Sequence, residues 1–93
     1  MPRRPLSDDD HLTQLIRQIA AGDRRALNAL YEAVSGRLYW LLLLVFDEDN
    51  AERRLEESFV RIWCEAADFD EDRHGAWQWI VAVTFRPLPS QLH

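Results

Sequence analysis

Lysine is absent from this 93-residue chain, and the whole Lys+Arg total of 11 is arginine. A single cysteine, Cys64, excludes an internal disulfide and cannot build a cysteine-based zinc site alone. It follows the helical core residue Trp63, so it reads as a small packed side chain rather than a reactive thiol. Only three glycines and four prolines occur, and the prolines are confined to the two ends. No glycine-rich phosphate loop is present. The longest apolar run, residues 38–46 (LYWLLLLVF), falls far short of the ~20 residues that span a bilayer. The start, PRRPLSDDD, lacks the apolar core of a signal peptide. These absences predict a cytoplasmic, reducing location with no membrane association.

What is present suffices for one small domain with a single core: 47% apolar residues, including four Trp, four Phe and two Tyr. Leu, Ala, Glu and Arg dominate, which favours helices. Charge is uneven. Residues 1–46 carry six arginines against five acids, and residues 47–93 carry five against eleven, giving the net charge of −5. Phosphates would repel such an acidic domain acting alone, so a nucleic-acid role needs a partner to supply the electrostatics.

Ser7 is a good N-cap, with Asp8–Asp10 in the first turn where the helix dipole favours negative charge. Leu12, Leu15, Ile16 and Ile19 mark a first helix closed by Gly22. Asp23 caps a second, with a face of Ala26, Leu27, Leu30, Tyr31 and Val34. Ser35–Gly36 can break it, but Leu38, Tyr39, Leu41 and Leu42 resume the pattern, predicting one long or kinked helix to about Phe46. Beyond Gly36 the residues are apolar nearly all round, which predicts burial on more than one side. The turn at 47–50 caps a third helix, roughly 51–67. Within it Leu55, Phe59, Ile62 and Trp63 share one face and leave Glu52, Arg53, Glu56, Glu57 and Arg61 for the outer surface. A loop at 68–75 carries Phe69, and a short helix at about 76–85 follows. Pro87 and Pro89 stop it, so residues 87–93 are expected to be an extended or disordered tail beyond a domain of residues 1–86. The predicted fold class is all-α, a small bundle of three main helices plus a short fourth.

Catalytic and metal chemistry find little support. His11, His74 and His93 show no ligand-like spacing, and DFDED at 68–72 lacks the glycine and later glutamate of a calcium loop. No enzyme, cofactor or metal site is predicted. Trp77 and Trp79 point about 200° apart on a helix, so one fills the core and the other looks elsewhere. That outer ring either covers a neighbouring helix or forms an interaction surface for a protein or an unstacked base. Arg73 and His74 before the pair and Arg86 after it are the cations near these rings.

Four landmarks, in order, are Ala21-Gly22-Asp23 with Ala26 and Leu30-Tyr31; Arg37-Leu38-Tyr39; Ala51-Glu52 through Glu57, Phe59, Arg61 and Trp63; and Phe69 followed by Trp79. Over about Leu12–Trp79 the chain resembles the N-terminal, polymerase-binding domain (region 2) of bacterial extracytoplasmic-function (ECF) sigma factors. The resemblance implies two surfaces. The helix matching Ala51–Trp63 would dock on a coiled coil of core RNA polymerase, through Glu52, Arg53, Glu56 and Glu57. The loop and helix matching Phe69–Arg86 would help melt the minus-ten promoter element and hold an extruded base, with Arg73, Trp77 and Arg86 as DNA-binding candidates. Promoter DNA would then be met only in the context of polymerase.

The departures are specific. Arg53 stands where family members usually have Asp, and Glu56 where they usually have Gln. Pro87 and Pro89 forbid the basic helix with which the family continues, and the domain that reads the upstream promoter element is absent from this sequence. The reading is therefore of a C-terminally truncated or divergent region 2. The alternative is a helical interaction module that forms a homodimer, or sequesters a regulator as an anti-sigma factor does, without promoter recognition; an anti-sigma factor is also admitted as a partner. Transcription by core enzyme with and without the chain separates the two.

Overall fold

Helix α1 spans Asp8–Ala20, α2 Arg24–Leu43, α3 Glu48–Glu65 and α4 Ala76–Phe85, with one 3-10 turn at Ala66–Asp68. The computed structural model describes residues 8–86; the Ser7 cap and the tail at 87–93 lie outside the described residues, which contain no strand. The all-α bundle of three main helices and a short fourth is the architecture found.

The elements follow from local chemistry. Gly22 closes α1 with φ +92, a left-handed conformation that only glycine takes without a Cβ penalty. The Asp23 carboxylate then accepts from the backbone N–H of Arg25 and of Ala26, starting α2. Asp47 does the same for α3, accepting from the Asn50 backbone N–H at 2.9 Å. Glu48 and Asp49 thus belong to the first turn of α3 rather than to a preceding loop. Helix α2 is continuous through Ser35–Gly36 and ends three residues before Phe46.

Helix α2 packs on α1 and α3, while α4 packs on α3 and α1. Leu12, Ile16, Leu30, Val34, Leu38, Leu42, Ile62, Ile80 and Val83 form the dry centre, and Trp79 lies with them. Two buried hydroxyls are satisfied within their own helices: Ser58 donates to the Leu55 carbonyl and Thr84 to the Ile80 carbonyl. Arg54 lays its guanidinium 4.6 Å from the Phe46 ring, closing the α2–α3 turn.

Four expectations are corrected. The apolar end of α2 is not buried all round. Leu38 and Leu42 are inside, but Trp40 and Leu44 are each 66% exposed and Val45 65%. The cause is that α4 is short and packs on α1 and α3, so no described element covers the outer side of α2. Tyr31 lies at the rim of the core, 5.0 Å edge-on from Phe59. Cys64 is exposed, because it falls off the Leu55–Phe59–Ile62 stripe that α3 turns inward, and Trp63 is half-buried at its edge. Arg61, expected outside, is half-buried and donates to the carbonyls of Val83 and Arg86.

Candidate functional site

The inward positions of α3 are Ala51, Leu55, Ser58, Phe59 and Ile62. With the helix fixed by that face, Glu52 and Glu56 fall one turn apart along the seam with α2, and both are exposed. Arg53 is exposed beside them, and Glu57 is half-buried. Two open grooves run along the seam and both reach Glu56. One, of about 450 Å³, is lined by Arg24, Leu27, Glu56, Phe59, Val60 and Trp63 among others. The second, of about 370 Å³, is lined by Tyr31, Ser35, Gly36, Tyr39, Glu52, Leu55 and Glu56. A carboxylate therefore stands between two hollows floored by aromatic and aliphatic side chains. Such a surface suits a partner that offers both cations and apolar tips.

Electrostatics along the seam are negative. Burial pushes the Tyr39 phenol above its ordinary range, and Glu52, Glu48 and Asp49 add to the shift because a phenolate would face three carboxylates. At the other end Arg24 sits 5.9 Å from the Trp63 ring, placing one cation at the margin of the first groove.

The second candidate surface is built on α4. Its N-cap residue, Gly75, has no side chain with which to cap, and the Asp9 carboxylate from α1 takes over. Asp9 Oδ2 accepts the Ala76 N–H at 2.9 Å and Oδ1 the Trp77 N–H at 2.8 Å. A Cβ on Gly75 would lie 3.3 Å from Asp9 Oδ2, so a larger residue there would make the carboxylate give way by a few tenths of an ångström. Trp79 turns into the core, where its ring meets Phe69 at 5.3 Å. Trp77 is half-buried, with the Arg37 guanidinium 4.6 Å from its ring, and Arg37 in turn donates to Asp8 at 2.9 Å. One face of the outer ring is thus taken by the Arg37 side chain of α2, and the ring also packs against the core.

Trp77 lines a shallow hollow of about 480 Å³ with His74, Gln78, Val81 and Ala82. Arg73 is exposed in the turn just before, its backbone N–H bonded to the Asp70 carbonyl. Arg86 lies at the far end of α4, roughly 13 Å along the axis from Trp77, and is paired with Glu65 at 2.6 Å. Arg73, His74 and Trp77 therefore cluster at one end of α4, and Arg86 does not join them. The sequence reading missed Asp8, Asp9 and Arg37 in this assembly. A run of three acids at a helix start explains itself locally, and nothing in the sequence marks which of them reaches another helix.

Among the described residues no group of three or more His, Cys, Asp or Glu side chains converges to hold a metal ion, and no helix is long and apolar enough to cross a membrane.

No family model matches the chain, and no solved structure is a significant match. Curated sequences do match. The ECF RNA polymerase sigma factor SigK of Mycobacterium ulcerans is 30% identical over 83 residues, 88% of this chain and 44% of its own length. That of Mycobacterium tuberculosis H37Rv is 29% identical over 82 residues, covering 87% of this chain and 43% of its own length. The Mycolicibacterium vanbaalenii SigK is 29% identical over 76 residues, 81% and 39%. The chain is a relative of the ECF sigma factors. It spans about two fifths of the length of these curated relatives.

Proposed function

We propose that the chain acts in transcription as a sigma-factor region 2, docking on core RNA polymerase through α3 and contributing its α4 surface to recognition and melting of the minus-ten element. The observation that carries this reading is the position of Glu56, exposed between two apolar-floored grooves on the α2–α3 seam. A cationic, apolar-tipped coiled coil of the polymerase complements such a ridge. Glu52, Glu56 and Glu57 supply the attraction, and Arg53 opposes it. Rim charges of this kind mainly set association rate and salt dependence, by about 1 kcal/mol each where the site is partly desolvated.

On α4, Trp77 offers a ring for an extruded base and Arg73 a cation for its phosphate, while Arg86 reaches DNA on exchanging Glu65 for a phosphate. The polymerase supplies the remaining positive charge, which a domain of net charge −5 lacks. On this reading the protein works in the cytoplasm, is not an enzyme itself, and presents the same seam to an anti-sigma factor. The test is retention of core RNA polymerase by the immobilised chain, followed by transcription from a minus-ten promoter with and without it. Glu56→Arg is expected to lower retention about tenfold or more. Retention unchanged by reversal of Glu52 and Glu56 together would remove the docking face.

A further inference from the structure

The outer side of α2 carries a second apolar surface that the core does not use and that meets the seam only at the Gly36 border of the 370 Å³ recess. Trp40 and Leu44 are 66% exposed, Leu43 40% and Val45 65%. Trp40, Leu43 and Leu44 stand at i, i+3 and i+4, so they form one continuous patch at the end of the helix. One turn earlier comes Gly36. Its φ is negative, and a Cβ there would meet nothing within 4 Å, so neither backbone conformation nor internal packing calls for glycine. A mid-helix glycine costs about 0.5–1 kcal/mol relative to alanine. Here it leaves one border of the 370 Å³ recess open on the same helix as the projecting indole.

Charge is divided between the ends of this face. Arg24 and Arg25 begin α2 and are exposed; Asp47, Glu48 and Asp49 follow its other end and are exposed as well. Arg25, Glu48 and Asp49 enter none of the ion pairs found among the described residues. Acids beside the apolar patch disfavour an anionic membrane surface. They equally disfavour a parallel partner of the same kind. An antiparallel copy is different, because two-fold symmetry sets the arginine end of each α2 toward the acidic end of the other.

We infer that the outer face of α2 is a homodimer interface, in which a second copy of this chain packs antiparallel. The Trp40 of each copy enters the recess beside Gly36 of the other, and Arg25 faces the Asp47–Asp49 turn. Even complete burial of the four exposed apolar side chains falls short of the ~1,000 Å² that a specific interface clears, so the recess and the facing charges must supply the remainder. The dimer is therefore expected to be weak and dependent on concentration. This inference does not rest on the polymerase reading, because its test contains no polymerase.

The experiment is sedimentation velocity on the full chain over a concentration series, with circular dichroism as the check on folding. Wild type is expected to pass from monomer to dimer in the micromolar range. Trp40→Glu, at an exposed position, keeps its helix content and weakens the dimer by about tenfold or more. Gly36→Leu fills the recess and weakens it too. Arg25→Glu and Glu48→Arg each weaken it, and together restore it, since the exchanged charges face one another again. A chain monomeric to about 1 mM, a dimer indifferent to Trp40→Glu, or a double reversal that fails to restore association would each overturn the proposal. In the first case the patch serves another occupant, such as a basic amphipathic helix of a different protein or residues 1–7.

Discussion

Asp9, in the first turn of α1, accepts the backbone N–H of Trp77 at 2.8 Å and so caps a helix that begins 67 residues later in the chain. One carboxylate sits at the N-termini of α1 and α4 together, where both helix dipoles favour negative charge. It thereby fixes the start of α4, and with it the placement of Trp77, to the start of α1.

Loss of this cap is expected to destabilise the fold. Asp9→Ala leaves two backbone donors at the start of α4 without their acceptor, and the cost is about 1–2 kcal/mol. Gly75→Ala pushes a methyl to within 3.3 Å of the same carboxylate and should cost something similar or less, since the carboxylate can shift. Urea denaturation reads both. If the contact is the cause, the two substitutions together cost less than the sum of their separate effects.

Arg37 and Trp77 form a second link between helices that are far apart in sequence. The guanidinium lies 4.6 Å from the ring and is held there by Asp8 at 2.9 Å. Both ionic partners are about half exposed, so the ion pair itself is worth little. A double-mutant cycle with Arg37→Ala and Trp77→Ala is expected to give a coupling of about 0.5–1 kcal/mol. Arg37→Lys should lose most of it, because an ammonium does not stack flat on an indole. Zero coupling would show that Arg37 does not hold the Trp77 ring, leaving it to its packing against the core.

Tyr39 gives the seam a pH signature. Its folded-state pKa is raised above 10.0 by burial first and then by Glu52, Glu48 and Asp49. The folded chain therefore holds the phenolic proton more tightly than the unfolded chain, and stability falls as pH rises above about 10. Below that pH the phenol is protonated in both states and contributes no slope. Absorbance titration at alkaline pH in a Tyr31→Phe background should show Tyr39 ionising late, and Glu52→Gln should move it back toward the ordinary value. An unchanged titration in that variant would mean that Glu52 does not reach the phenol.

Much of this bundle was legible because its signals are local. Asp23 and Asp47 cap the helices they immediately precede, Gly22 ends α1, and the spacing of Leu12, Leu15, Ile16 and Ile19 gives the buried face of α1. The second half of α2 was misread because an apolar run says nothing of how many neighbours it will meet. With Leu38 and Leu42 facing α1 and α3, there is no described element left for Trp40 and Leu44. The contrast is measurable. Leu42→Ala, wholly buried, should cost about 2–5 kcal/mol, whereas Trp40→Ala should change monomer stability by no more than about 0.5 kcal/mol. At the candidate sites, the outward position of Glu52 and Glu56 followed from the period of α3. The union of Asp9, Arg37 and Trp77 did not, since it depends on how three helices meet.

Arg61 shows the same limit at the opposite end of α4. Helical spacing places it with the outer residues of α3, yet its Nη1 donates to the Val83 carbonyl at 3.2 Å and to the Arg86 carbonyl at 3.0 Å. Carbonyls at the C-terminus of a helix lack intrahelical partners and carry partial negative charge, so a guanidinium from a neighbouring helix satisfies both needs. Asp9 and Arg61 therefore clamp the two ends of α4, each with a charge opposite to the local dipole. Arg61→Ala is expected to cost about 1–2 kcal/mol, with the effect concentrated in the last turn of α4. Hydrogen exchange should quicken for Val83, Thr84 and Phe85 ahead of the core of α3. Uniform loss of protection across the bundle would instead mean that Arg61 stabilises the fold as a whole and not the end of α4.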